Sequence, residues 1–176
     1  ACQELIHFAK PIIDKIYSLV SDTQNLISLH DTQGHMLAYA CDEYYNRVQN
    51  ITSFKLGVCW EEATIGTNGV SLSIILDQPV QLYGAEHFCV LQQDGTCSAA
   101  PIHDEKGKII GCLNMSGKNK TSNLHTLGLV AAGAYSIESQ LALYRSYELI
   151  DNTFSTIYEG LIVLDRDLCV AKASRR

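Results

Sequence analysis

The stretch that decides the fold runs from Gly57 to Ser116. It reads Gly57-Val58-Cys59-Trp60-Glu61-Glu62-Ala63-Thr64-Ile65-Gly66-Thr67-Asn68-Gly69, an apolar segment from Val70 to Leu76, Gln78-Pro79-Val80, Gly84-Ala85-Glu86-His87-Phe88, Thr96-Cys97-Ser98-Ala99-Ala100-Pro101-Ile102, and Gly111-Cys112-Leu113-Asn114-Met115-Ser116. Chemically distinct side chains (Trp60, Glu61, Thr67, Asn68, His87, Cys97, Ser98 and Asn114) are spaced through otherwise apolar runs. That pattern is expected where several elements converge on one small-molecule cavity.

Within this stretch, Gly66-Thr67-Asn68 ahead of Val70, Leu72, Ile74, Ile75 and Leu76 predicts a helix start. Thr67 or Asn68 can cap it, and Pro79 forbids continuation. Free N–H groups at such a terminus favour an oxygen beside them. Pro79 to Tyr83 predicts a strand, while His87 to Leu91 fits helix or strand equally. Cys97 to Ile102 and Lys108 to Ser116 predict two antiparallel strands joined by the polar turn His103-Asp104-Glu105-Lys106-Gly107. Alternation on the second puts Ile109, Gly111, Leu113 and Met115 on one face, toward a helix layer. It puts Ile110, Cys112, Asn114 and Ser116 on the other, toward the cavity.

Upstream, Leu5, Ile6, Ala9, Ile12, Ile13, Ile16 and Leu19 recur at helical spacing, with Pro11 as an expected kink. Asn25 to His30 and His35 to Ala40 predict a hairpin around Asp31-Thr32-Gln33-Gly34. Asp42 to Gln49 reads as a short polar helix or loop. Downstream, Ser122 or Asn123 to about Tyr158 predicts one long helix. Its stripe of Val130, Ala134, Ile137, Leu141 and Tyr144 has the spacing of a helix-to-helix seam, which also suits ordinary core. Gly160 to Ala171 predicts a second hairpin with an acidic turn. Two strands alone bury too little to persist, so it reads as the opening of a further domain.

Charge and composition exclude several functions. A net charge of −6 with scattered Lys and Arg argues against direct nucleic-acid contact, which needs a concentrated basic surface. No run of about eighteen apolar residues occurs and no export signal is seen, so a cytoplasmic location without membrane contact is expected. Seven cysteines without a Cys-x-x-Cys pair read as reduced, mostly buried thiols. His87, Cys89, Cys97 and His103 lack zinc-ligand spacing, so no metal and no cofactor is expected. Cys97, in a strand interior, has nothing to activate it as a nucleophile, and no catalytic residue or enzyme activity is expected.

Taken together, Trp60-Glu61, Gly66-Thr67-Asn68, Pro79-Val80, Gly84-x-Glu86-His87-Phe88, Thr96 to Ile102 with Asp104, and Gly111-x-Leu113-Asn114-x-Ser116 resemble a GAF domain. The version is similar to the N-terminal sensor of the acetoin-catabolism regulators, sigma-54-dependent transcriptional activators, over roughly residues 1–145. The resemblance implies an α+β (α/β sandwich) fold: an antiparallel sheet flanked by helices, with a pocket on one sheet face and a long C-terminal linker helix. It implies a sensing domain over 1–145, a signalling helix over 146–158, and the truncated start of a PAS domain over 159–176. Implied partners are a small-molecule effector, a second copy through the terminal helices, and, through absent domains, sigma-54 RNA polymerase and DNA. The residues expected at the effector are the eight named above. Asn114 stands where Asp is frequent in the family and Gly69 where Ala is common, so no effector name is carried across. Rival readings are a ligand-free dimerisation or partner-docking module and a redox or metal sensor.

Overall fold

Turn chemistry sets the first hairpin. In the computed structural model, which describes residues 2–20, 24–42, 55–118, 124–156, 160 and 162–173, Asp31 Oδ1 accepts from the backbone of Gln33 and His35, and Gly34 takes φ +83°. Strands β1 (Leu26–His30) and β2 (Met36–Cys41) leave this turn antiparallel. Before them, helix α1 (Cys2–Val20) runs on through Pro11 and buries Leu5, Ala9, Ile13 and Ile16. Leu19, expected on the same stripe, is exposed. The polar segment expected at 42–49 lies, beyond Asp42, outside the described residues.

A short helix α2 (Glu62–Ile65) and helix α3 (Gly69–Leu76) follow, and α3 ends at Asp77 in a left-handed conformation. Next come β3 (Val80–Tyr83), single 3-10 turns at Gly84–Glu86 and Val90–Gln92, β4 (Gly95–His103) and β5 (Ile109–Lys118). The segment left open between helix and strand, His87 to Leu91, is irregular as far as Cys89 and enters the second of these 3-10 turns at Val90. The β4–β5 turn closes as expected, with Asp104 Oδ1 accepting from Lys106 and Lys108 and Gly107 at φ +76°.

The five strands form one antiparallel sheet in the order β2-β1-β5-β4-β3. Register assigns its two faces. Leu26, Ser28 and His30 share a face with Cys112, Asn114 and Ser116 of β5, Cys97 and Ala99 of β4, and Val80 and Leu82 of β3. This face is covered by α3 and Trp60, which pack with Met36, Val70, Ala99 and Cys112. The opposite face carries Ile27, Leu29, Gly111 and Leu113 and lies against α1 and the long helix α4 (Leu124–Thr156). A side chain at Gly111 would strike Leu5, and one at Gly133 would strike Ile16 and Leu113. The expected division of β5 between helix layer and polar face is therefore observed.

The predicted seam on α4 is core. Val130, Ala134, Ile137 and Leu141 are buried within the single chain, and of the stripe only Tyr144 is exposed. The chain divides into two compact units, Ala1–Gln140 and Leu141–Arg176. In the second, β6 (Ile162–Leu164) and β7 (Val170–Ala173) form the expected hairpin, with Asp165 Oδ1 accepting from Asp167 and Cys169 in its turn.

Candidate functional site

Four elements converge over the α3-covered sheet face, and each is placed by local chemistry. Trp60 is drawn in by the first hairpin: its N–H donates to Gly34 O at 2.8 Å, and Met36 N donates to Val58 O at 3.0 Å. Glycine is required at 34, because a Cβ there would sit 2.9 Å from Glu61 N and 3.0 Å from the Trp60 carbonyl carbon. The indole is fully buried, tilted against the His30 ring at a centroid distance of 5.5 Å. Trp60 is thus a core anchor beneath the loop rather than an exposed flap.

Asn68 ties that loop to α3. Its Oδ1 caps the helix by accepting from Ser71 N at 3.0 Å, while Nδ2 donates to Trp60 O and Gly66 O, each at 2.9 Å. Both amide hydrogens are therefore committed within the protein. Thr67 does not cap; its hydroxyl donates to Glu62 Oε1 at 2.8 Å, and Ser71 Oγ donates to Glu62 Oε2 at 3.0 Å. Glu62, not Glu61, is the carboxylate that holds the turn. Glu61 is exposed at the start of α2 and makes no side-chain capping bond.

Across the sheet beneath runs a row of buried polar side chains. His30 Nδ1 donates to Gly34 O at 3.1 Å, and Ser28 Oγ lies 2.9 Å from His30 Nε2. Asn114 Nδ2 donates to Ser28 Oγ at 3.2 Å and Ser116 Oγ at 3.0 Å, and Ser116 Oγ lies 3.2 Å from Cys97 Sγ. All five residues are buried, and Asn114 Oδ1 has no hydrogen-bond partner among the described residues. Burial lowers the His30 pKa to about 4, outweighing the Gly34 carbonyl and Asp31, which raise it, so the ring is neutral near pH 7. Burial pushes the Cys97 thiol up to about 11 against the opposing Ser116 bond. It pushes the Cys112 thiol up to about 12 against Ser73 and the Ala100 backbone. Both are therefore protonated, unreactive thiols at neutral pH.

Of the eight residues expected at an effector, Trp60 and Asn68 are joined directly, and Cys97 and Asn114 are joined through Ser116. His87 is buried, with Nδ1 donating to Gly84 O at 3.0 Å and Nε2 without a partner among the described residues. Ser98 is not brought to this face. Adjacent strand residues point to opposite sides, and Ser98 Oγ instead accepts from Gln81 Nε2 at 2.8 Å. Glu61 is likewise directed away, into solvent. Ser28, His30 and Glu62 belong to the arrangement and were not singled out from the sequence, whereas alternation on β5 already places Ser116 on this face. Strand alternation on β1 was the available signal for the first two.

A second cluster lies at the far end of β4. His103 donates from Nε2 to Asp77 Oδ1 at 2.7 Å, and from both Nδ1 and its backbone N to Glu138 Oε1, each at 2.7 Å. It joins the end of α3 to α4. Beside it is a cavity of about 200 Å³ lined by Pro79, Pro101, Ala131 and Tyr135 among others. Burial pulls the His103 pKa down, but the Asp77 and Glu138 hydrogen bonds and charges outweigh it and the net shift is upward. All seven cysteines are unpaired, and among the described residues no group of three or more His, Cys, Asp or Glu is placed to hold a metal ion. No helix among them is long and apolar enough to cross a membrane.

A GAF-like antiparallel sheet, with a polar row under α3 on one face and α1 and α4 on the other, defines an α+β domain. Residues 2–141 match the family model described as MimR, N-terminal domain, and the chain belongs to that family. It is 30% identical over 168 residues to a signal-transduction and transcriptional-control protein of Clostridium beijerinckii, covering 92% of this chain and 27% of that protein. It is 31% identical over 134 residues to the acetoin dehydrogenase operon transcriptional activator AcoR of Bacillus subtilis (strain 168), covering 76% and 22%. The chain thus spans about a quarter of the length of these relatives. Among solved structures, the E. coli DhaR(N)-DhaL complex contains the same fold with a TM-score of 0.79 at 17% identity, covering 98% of this chain and 62% of that one. The resemblance to the sensors of acetoin-catabolism regulators therefore stands.

Proposed function

We propose that this chain is the effector-sensing part of a transcriptional activator. On this reading a small molecule is held on the α3-covered sheet face, beside Trp60, Asn68, His87, Cys97 and Asn114. The event passes to α4, with residues 146–158 as signalling helix and 159–176 as the start of a PAS domain. The observation that carries it is the buried polar row ending in Asn114, whose Oδ1 is unmet. A folded interior leaves such an atom bare at a cost of about 1–3 kcal/mol unless something binds there. Sensing of this kind works by differential affinity for two arrangements of the output element, with a coupling of roughly 1–3 kcal/mol. A broad panel of metabolites screened by thermal denaturation tests it: a saturating effector raises Tm. A uniformly flat screen defeats sensing.

The remaining parts of the reading concern the whole protein: sigma-54 RNA polymerase and DNA contacted through other domains, and pairing of two copies. Pairing through α4 would use its exposed Leu143, Tyr147 and Ile150, since the predicted seam is core. Leu143→Glu then lowers the sedimentation coefficient of a dimer, and an unchanged value rules this surface out. A second reading, protein docking, is favoured by the exposed Phe88, Val90 and Leu91. The complex formed by the E. coli fold neighbour is in keeping with it. In that case Leu91→Glu abolishes partner capture without lowering Tm.

A further inference from the structure

If the sensing reading holds, the polar row also fixes what kind of molecule can be sensed, because the direction of every hydrogen bond along it can be assigned from one end. Gly34 O only accepts, so the proton of the neutral His30 ring sits on Nδ1. Nε2 is then an acceptor and takes the one hydroxyl hydrogen of Ser28. With that hydrogen committed, Ser28 Oγ can only accept from residue 114, which turns the NH2 of Asn114 toward it. The other N–H goes to Ser116 Oγ. Both Asn114 donors are used, and the atom left bare is the carbonyl oxygen. His87 is held in a similar way: Nδ1 faces Gly84 O at 3.0 Å, and Nε2 has no partner among the described residues. The other buried side-chain atoms without a partner among the described residues are Asp42 Oδ2, Ser73 Oγ and Gln92 Oε1. Ser73 Oγ, a hydroxyl, sits against the Cys112 thiol, and Asn114 Oδ1 is the bare atom within the row itself.

We propose that the effector is a small uncharged molecule that presents a hydroxyl or N–H donor to Asn114 Oδ1, and that carboxylates and acceptor-only ketones are refused. None of the five residues in the row carries a charge. A carboxylate would set its oxygens against Oδ1 with no cation in the row to offset them, and a ketone would leave Oδ1 as bare as before. Sites built around a buried polar group discriminate steeply against partners that cannot pair with it.

The test uses three probes of matched size, propane-1,2-diol, acetone and propanoate, titrated at millimolar concentration into the full 15N-labelled chain. The Asn114 side-chain NH2 and the Ser28 and Ser116 backbone amides are read by NMR. The expected result is a saturable shift of these signals with the diol alone, and about tenfold or greater weakening of its binding in Asn114→Leu. That variant keeps the branching and the number of heavy atoms but is bulkier, and Asn114→Ser repeats the measurement should leucine disturb the packing. Saturable movement of the same signals by acetone or propanoate overturns the donor assignment while leaving sensing intact. Equal diol affinity in wild type and both variants also overturns it. If no probe binds, the assignment falls, and the metabolite screen decides separately whether sensing falls with it.

Discussion

Raising the pH should weaken the tie that His103 makes between the end of α3 and α4. Both ring nitrogens face carboxylate oxygens at 2.7 Å, so both bonds exist together only in the imidazolium. The upward pKa shift says the folded state holds this proton more tightly than the unfolded chain. The stabilisation is therefore fully present below the unfolded value of 6.5 and is lost as pH rises through the folded value. What is lost is one arm. A neutral ring can still donate from Nδ1 to Glu138, whose Oε1 also keeps the His103 backbone N–H at 2.7 Å. The Asp77 arm is the one released, and its side chain is 56% exposed, so it contributes about 0.5–1 kcal/mol rather than the 1.5–3 of a shielded ionic bond. For a chain of 176 residues that is a fall in Tm of about 1–4 °C. Wild type and His103→Gln are melted from about pH 6 to about pH 9, with circular dichroism as readout. The wild-type curve should fall by that amount relative to the variant. Parallel curves would refute the imidazolium bridge.

Trp60→Ala removes a fully buried indole from the cluster with Met36, Val70 and Cys112 and should cost about 3–5 kcal/mol in urea denaturation; a loss under about 1 kcal/mol would show that the indole is not packed. A maleimide titration of the native protein near pH 7 should label Cys2 and Cys169 quickly, and Cys97 and Cys112 only after unfolding, because burial holds those thiols protonated. Early labelling of Cys97 would mean the α3 cover opens readily. Gly69→Ala puts a Cβ 3.0 Å from Cys97 Cβ and should destabilise by about 1 kcal/mol, read as a shift of the urea midpoint. An unchanged midpoint would show that the first turn of α3 lifts freely.

Local chemistry was legible in the sequence; side-chain direction and register were less so. Asp31 with Gly34, the cap at Asn68 and the two faces of β5 follow from turn residues, capping preference and a period of two, each a matter of a few neighbouring positions. Cys97 and Ser98 were both assigned to the site although neighbours on a strand cannot share a face. Glu61 and Glu62 lie at the mouth of a four-residue helix whose phase no pattern reveals, and the exposed one was chosen. His87 sits between two three-residue turns, too short for any periodicity. On α4 the spacing of Val130, Ala134 and Ile137 suited a seam or a core, and the small Gly133, which lets the helix lie close against Ile16 and Leu113, decides for the core. The polar row joins Ser28 to Asn114, 86 positions apart, and becomes visible only once β1 and β5 are paired in register.

The two positions where the resemblance leads to an expectation of Asp and Ala are each explained by a neighbour. An aspartate at 114 would turn an oxygen toward Ser28, whose only hydrogen is held by His30, and would bury a carboxylate in a row that contains no cation. Asparagine supplies the N–H that this oxygen can accept, so Asn114 belongs with the pair of His30 and Ser28. Glycine at 69 serves the next layer in the same way. It brings the start of α3 onto Cys97 and Ala99, closer than an alanine would sit without displacement. Asn68, one residue earlier, uses that closeness to reach the carbonyl of Trp60 while it caps the helix. A change at Gly69 or at His30 therefore alters the geometry around the bare Asn114 oxygen, and on the sensing reading proposed above selectivity rests on the fit between sheet and cover as much as on Asn114 itself.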